Sequence, residues 1–197
     1  MFDAYTRTRR AGMAAAAVAL AGLVFTGCTT TKPQDSGTAA SQRQEINSGA
    51  DSALSRLYQA SPDSRAMVER AKGVLVFPAV VSGSFIVGAQ YGKGVLRVGG
   101  ANAGYYSTTA GSVGFQAGAQ SKAVILLFMT QDALDSFRKS NGWTAGADAS
   151  VAVANIGANG RIDTNTARQP VVGFVMNNTG LMAGVSLEGA KINKLDL

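Results

Sequence analysis

One residue of this chain has the setting for covalent lipid attachment. Cys28 is the only cysteine; it follows Phe25-Thr26-Gly27 and closes an apolar run, Ala11 to Phe25, that begins behind Arg7, Arg9 and Arg10. A basic start, an apolar stretch and small residues before the cut are what a secretory signal needs. Cleavage just before a cysteine leaves its thiol as an acylation site, the pattern of a bacterial lipoprotein signal. The run is also shorter than the about 20 apolar residues that a membrane span requires. Two other readings of the segment stay open: a plain signal peptide cut elsewhere, since Phe25 stands where leucine is more usual, and a twin-arginine export signal on Arg9-Arg10. Once acylated with palmitate-type chains, Cys28 would hold the protein on its membrane, each buried methylene contributing about 0.8 kcal/mol. Thr29, where aspartate would favour the inner membrane, points by analogy to the outer membrane of a cell envelope.

Polar chemistry elsewhere is sparse. The chain has no histidine, which excludes imidazole-based catalysis and histidine metal sites. It has no Gly-x-Ser-x-Gly elbow and no phosphate-binding Gly-x-x-x-x-Gly-Lys-Ser/Thr loop, and an acylated Cys28 is no nucleophile. Asp132 and Asp135 lie one helical turn apart and read as solvation of a helix face. Asp163-Thr164-Asn165 has a fragment of calcium-loop spacing but lacks the later glycine and glutamate. Asp148, just before an apolar strand, reads as an Asx-type turn or cap. The expectation is a non-enzymatic protein with no catalytic residue, metal or cofactor; an enzyme would need Asp148 beside a second buried carboxylate in a pocket.

The basic residues offer binding chemistry instead. Arg65, Arg70 and Lys72 flank the entry to the first expected strand, Lys93 falls on an expected hairpin tip, and Arg97 and Lys122 take strand positions. If they converge on one face, each adds about 1 kcal/mol near an anionic bilayer, in a salt-sensitive way; scattered surface charge is the alternative. Removing residues 1–27 takes three arginines and Asp3 from 18 basic and 12 acidic residues, leaving 15 against 11. That mild excess lacks the dense Lys/Arg clusters of nucleic-acid binders, so no nucleic-acid partner is expected.

The elements that must position these residues divide the chain into a signal peptide (1–27), a tether (28–44) and a folded domain (45–197). Thr29 to about Gln44 is too poor in large apolar side chains to order itself, and its reach is about 20 Å. Ile46, Ala50, Ala53, Leu54, Leu57 and Tyr58 recur at helical spacing over about Gln42 to Ala60, a helix that either docks on the domain or enters a membrane interface. Ser61-Pro62-Asp63 starts a second helix, with Ser61 as N-cap and Pro62 in the first turn, running to about Ala71. Short β-rich runs follow at Val74–Phe77, Ser84–Val87, Val95–Val98, Val113–Phe115, Val124–Met129, Ser150–Val153, Val171–Met176 and Leu181–Val185, closely spaced as in antiparallel sheets. Gln131–Arg138 reads as a helix closed at Asn141-Gly142 by a left-handed glycine. Gly92-Lys93-Gly94 and Asn178-Thr179-Gly180 read as hairpin loops. Glycines at 88, 114, 118, 173 and 184 suggest either bulges that curl the sheet or small-residue packing between layers. The class is α+β, with antiparallel, barrel-like curled sheets, an N-terminal helical segment and one further helix.

Five ordered blocks carry a family resemblance: Ala71–Pro78, Gly88–Leu96, Gly114–Gln120, Gly146–Ser150 and Gly180–Gly189. They resemble the SYLF domain over about Val68 to Leu195. The resemblance implies binding of phosphoinositide-like anionic membrane lipid; some eukaryotic members also bundle actin, while bacterial relatives resemble envelope lipoproteins. Gly104-Tyr105-Tyr106-Ser107 departs from the family, which usually has tryptophan after the glycine and a proline shortly after the serine. Actin is not expected as a partner of an envelope protein. The leading expectation is a membrane-anchored lipoprotein whose domain binds headgroups through Arg65, Arg70, Lys72, Lys93, Arg97 and Lys122. Its alternative is a structural envelope lipoprotein that binds a protein partner through strand edges.

Overall fold

The computed structural model describes residues 38–84, 87–113, 118–154 and 162–197. Cys28, the export signal and the tether as far as residue 37 lie outside them, as do parts of the expected strands at Ser84–Val87 and Val113–Phe115. Four long strands form the centre of the fold: β1 (Gly73–Ser84), β2 (Val87–Val98), β3 (Ala101–Val113) and β4 (Gly118–Phe128). Completing the sheet are β5 (Trp143–Thr144), β6 (Val151–Val153), β7 (Val171–Asn177), β8 (Gly180–Leu181) and β9 (Lys191–Leu195). Their order is β5-β9-β3-β2-β1-β4-β7-β6, with β8 on β7. The α+β class and curled sheet are as expected, in a single sheet; its pairs are antiparallel except for β6 with β7, which is parallel.

Period-two alternation along β1 builds two cores. Val74 and Val76 face one side with helices α1 (Ala39–Ala60) and α2 (Asp63–Arg70); Leu75 and Phe77 face the other with α3 (Gln131–Lys139). Pro78 would break a central strand, because it has no N–H for the ladder. Here the register of β1 shifts against β2 between Val76 and Ala79, and against β4 between Phe77 and Val80. Beyond this bulge Val80 joins Phe77 in the second core, so the irregularity absorbs the proline and resets which residues face inward. The curling bulges thus arise at Pro78 and beside Gly104 (φ +148), where the register of β2 on β3 shifts between Leu96 and Arg97. Gly173 serves the other purpose that was left open. It lies within buried β7, where a Cβ would approach Leu187 Cδ1 to 2.8 Å.

The first helix docks. Ile46, Ala50, Ala53, Leu54 and Leu57 are buried against the sheet, which settles its two readings in favour of packing. It begins at Ala39, earlier than expected, because Thr38 Oγ1 accepts the Ser41 N–H at 3.3 Å as an N-cap. Ser61 does not cap α2 through its side chain. Pro62 takes the N-cap position in the αR region, while the Ser61 carbonyl accepts both the N–H and the hydroxyl of Ser64. Nor does a left-handed glycine close α3: Ser140 ends it in extended conformation, and its hydroxyl bonds the Phe137 carbonyl at 2.8 Å.

Gly92-Lys93-Gly94 is not a hairpin loop. It lies mid-strand in β2, where Gly92 opposes Val80 on one side and Thr108 on the other. A Cβ on Gly94 would fall onto the Val76 carbonyl and the Phe77 ring, so glycine here serves close approach of strand to side chain. The Asn178-Thr179 turn is as expected, with Asn177 Oδ1 accepting from the N–H groups of Thr179 (2.8 Å) and Gly180 (3.1 Å). Four elements escaped the sequence reading: polar-rich β3, the short strand β5, the short helix α4 (Thr164–Ala167), and β9.

Candidate functional site

Placing the six basic side chains divides them between one end and the middle of the long strands. Arg65 and Arg70 sit exposed on α2, and Lys72 is exposed where its N–H bonds the Phe128 carbonyl beside the start of β1. Lys93 and Lys122 lie farther along, on β2 and β4, flanking the middle of β1 at Ala79 and Val80. Lys72 lies seven to eight residues before Ala79 and Val80 in β1, so the two groups are about 25 Å apart along the strand. The six do not converge on one face.

Arg97 is spent on architecture. Its Nη1 meets Asp51 Oδ1 of α1 at 2.6 Å and its Nη2 reaches the Asn47 carbonyl at 3.4 Å. Asn47 extends the network by donating from Nδ2 to the Tyr105 hydroxyl at 3.0 Å and accepting from Asn102 at 3.0 Å. Tyr105, in the segment where the resemblance breaks off, therefore ties β3 to the first helix. Arg65 lies over the Tyr58 ring, 4.3 Å from its centroid, an arrangement that suits cation–π attraction. Burial raises the Tyr58 pKa above its ordinary value, opposed by Arg65, reinforced by Glu69 and opposed by Arg97.

Lys93 points to the helix side of the sheet, and its Nζ donates to Gln42 Oε1 at 3.1 Å, near the start of α1. Lys122 emerges on the other face, half-buried in the wall of an apolar pocket formed with Phe77, Val80, Val124, Leu187 and Ile192. Burial lowers its pKa from the ordinary 10.5. No hydrogen bond or ion pair to it occurs among the described residues. Between the lowered folded value and 10.5, the unfolded chain holds a proton that the folded chain has released. The charged amine therefore costs stability at neutral pH, and that cost fades as pH rises through the folded value towards 10.5. Lys122→Met is expected to raise the melting temperature at pH 7, with the gain narrowing as pH approaches 10.5. An unchanged or lower melting temperature at pH 7 would contradict this account.

The carboxylates take structural positions. Asp148 is exposed, and its Oδ2 accepts the Thr144 N–H at 2.6 Å, the turn bond expected of it. Asp135 accepts from Gln131 at 2.9 Å on exposed α3 surface, and Asp163 precedes α4 without a side-chain cap bond. Among the described residues no group of three or more metal-ligating side chains occurs, and no helix is long and apolar enough to cross a membrane. What the sequence reading passed over is a gap: from Arg70 to Gln131 there is no Asp or Glu. Strands β1 to β4 thus carry lysine and arginine with no carboxylate of their own, a signal open to plain inspection.

Comparison with known proteins gives a consistent result. Residues 109–196 match the family described as Ysc84: Las17-binding protein actin regulator. The chain is also similar to the SH3 domain-containing YSC84-like protein 1 of Rattus norvegicus and of Mus musculus, each 26% identical over 129 residues, and to that of Bos taurus at 25%. Each match covers 63% of this chain but only 38% of the relative.

Proposed function

With residues 109–196 recognised as a Ysc84-type (SYLF) stretch, we propose that this is a membrane-anchored envelope lipoprotein whose domain binds anionic, phosphoinositide-like lipid headgroups without catalysing a reaction. Acylated Cys28 supplies the anchor, and the outer membrane is the destination that Thr29 suggests. Actin regulation belongs to the description of the matched family, and the envelope setting of this reading gives it no place here. The observation that carries the headgroup reading is the pair Lys93 and Lys122 on strands without a single carboxylate. An anionic surface meets no repulsive partner on these strands, so each cation near it contributes about 1 kcal/mol. Arg65, Arg70 and Lys72 form a second basic group at the far end.

The test is co-sedimentation of the full chain carrying Cys28→Ser, which can form no thioether lipid, with neutral, phosphatidylglycerol and phosphoinositide vesicles over a salt series. Binding that needs anionic lipid and fades as salt rises is the expected result. Equal binding to neutral vesicles, or none to any, would overturn it.

A second reading has its own support in the strand edges. Pairing of β4 with β7 begins only at Ala123, and pairing of β3 with β9 extends only over Tyr105 to Thr109. Among the described residues, stretches of β3 and β4 therefore keep an unpaired edge to which a partner strand could add. A stoichiometric protein partner recovered without any lipid preference would favour this reading.

A further inference from the structure

Two large apolar side chains stand exposed in the described structure, Val81 at 50% and Tyr91 at 47%. They are direct partners across β1 and β2. Both lie on the sheet face that carries Lys93, past the end of the helix that covers the rest of that face. The direction of α1 establishes this: Asp51 meets Arg97, and Gln42 meets Lys93, so the helix climbs β2 towards its own N-terminus. Tyr91 is two residues farther on, about 7 Å beyond Lys93. The end of the domain that shows apolar surface is therefore also the end at which the chain enters from Cys28.

Resting on the anchored, anion-binding reading above, we propose that this end of the sheet lies on the bilayer, with Tyr91 and Val81 at headgroup depth and Lys93 and Lys122 beside the anionic lipid. Three independent observations converge on a lipid surface as the occupant. Nine residues lie between Cys28 and Thr38 at the start of α1, a span of at most about 35 Å, so an anchor at Cys28 favours this end towards the membrane. The surrounding strands hold no carboxylate to repel anionic lipid. A tyrosine beside an aliphatic side chain suits the interface, where an apolar ring and a polar hydroxyl are both accommodated.

The experiment places a tryptophan at the proposed contact. Tyr91→Trp is compared with Ser136→Trp, an exposed position on α3 against the opposite core, in the full acylated chain on vesicles whose acyl chains carry bromine. Native Trp143 is buried at 2% exposure and gives a constant background. The expected result is several-fold stronger quenching, with a blue shift, at Tyr91→Trp than at Ser136→Trp on phosphatidylglycerol vesicles. Salt-sensitive, anionic-lipid-dependent sedimentation of the Cys28→Ser chain, combined with equal or no quenching at both positions of the acylated chain, would overturn this surface and leave headgroup binding standing. Selective quenching at position 91, combined with equal sedimentation of the Cys28→Ser chain on neutral and anionic vesicles, would uphold the surface and overturn the preference for anionic lipid. Failure of the Cys28→Ser chain to sediment with any vesicle, combined with equal or no quenching at both positions of the acylated chain, counts against both.

Discussion

Phe137→Ala is expected to lower the unfolding free energy by about 3–5 kcal/mol, the usual cost of removing a fully buried aromatic ring. Phe137 is the hub of the second core. Its ring centroid lies 4.7 Å from Phe128, 4.9 Å from Tyr106 and 5.7 Å from Trp143, and the residue is only 2% exposed. Those contacts join α3 to β4, β3 and β5 in one cluster, so alanine would leave a cavity bordered by three rings that belong to different elements. Relaxation would have to move a helix or a strand, which favours the upper part of the range. Against a total of about 5–15 kcal/mol for a domain, this removes a large share. Denaturant melts followed by tryptophan emission from Trp143 measure it; a loss under about 1 kcal/mol would mean that α3 is not held by this cluster. Phe137→Leu, which keeps most of the apolar volume, should cost distinctly less.

How much of this was legible in the sequence varied with how each residue's job is signalled. Val74 to Phe77, Val124 to Phe128 and Val171 to Met176 are dense apolar runs, and they became the strands buried on both faces. Ile46 to Leu57 kept helical spacing, and the burial pattern followed it. Strand β3 was hidden because its residues are mostly small or polar. Its place in the sheet comes from pairing with β2 along nearly its whole length, a tertiary cause that no local pattern records. Gly92 and Gly94 misled for a related reason. Two glycines around a lysine look like a turn, yet Gly94 is there because the Phe77 ring and the Val76 carbonyl occupy the space of a side chain. That misreading moved Lys93 from mid-strand to a loop tip. Arg97 could be identified as a cation but not as the partner of Asp51, since the two lie 46 positions apart. The separation of Lys93 and Lys122 from Arg65, Arg70 and Lys72 became visible only once the length and register of β1 were known.

That separation leads to a contrast in binding. At physiological salt, charges act over about 8 Å, whereas the two basic groups stand about 25 Å apart along β1, from Lys72 to the register of Ala79 and Val80. A rigid domain resting one end on a planar bilayer engages one group and leaves the other in solvent. Lys93→Gln combined with Lys122→Met is therefore expected to weaken binding to phosphatidylglycerol vesicles by about 2 kcal/mol, or roughly 30-fold, in the Cys28→Ser chain. Arg65→Gln combined with Arg70→Gln should leave it essentially unchanged. Because Lys122→Met is expected to stabilise the fold at neutral pH, weaker binding by the first pair cannot be put down to unfolding, and the melting temperature of the same preparation checks that directly. Equal losses in both pairs would mean that the domain lies flat along its strands. A loss confined to Arg65 and Arg70 would turn it over, with α2 to the membrane and the Tyr91 end away.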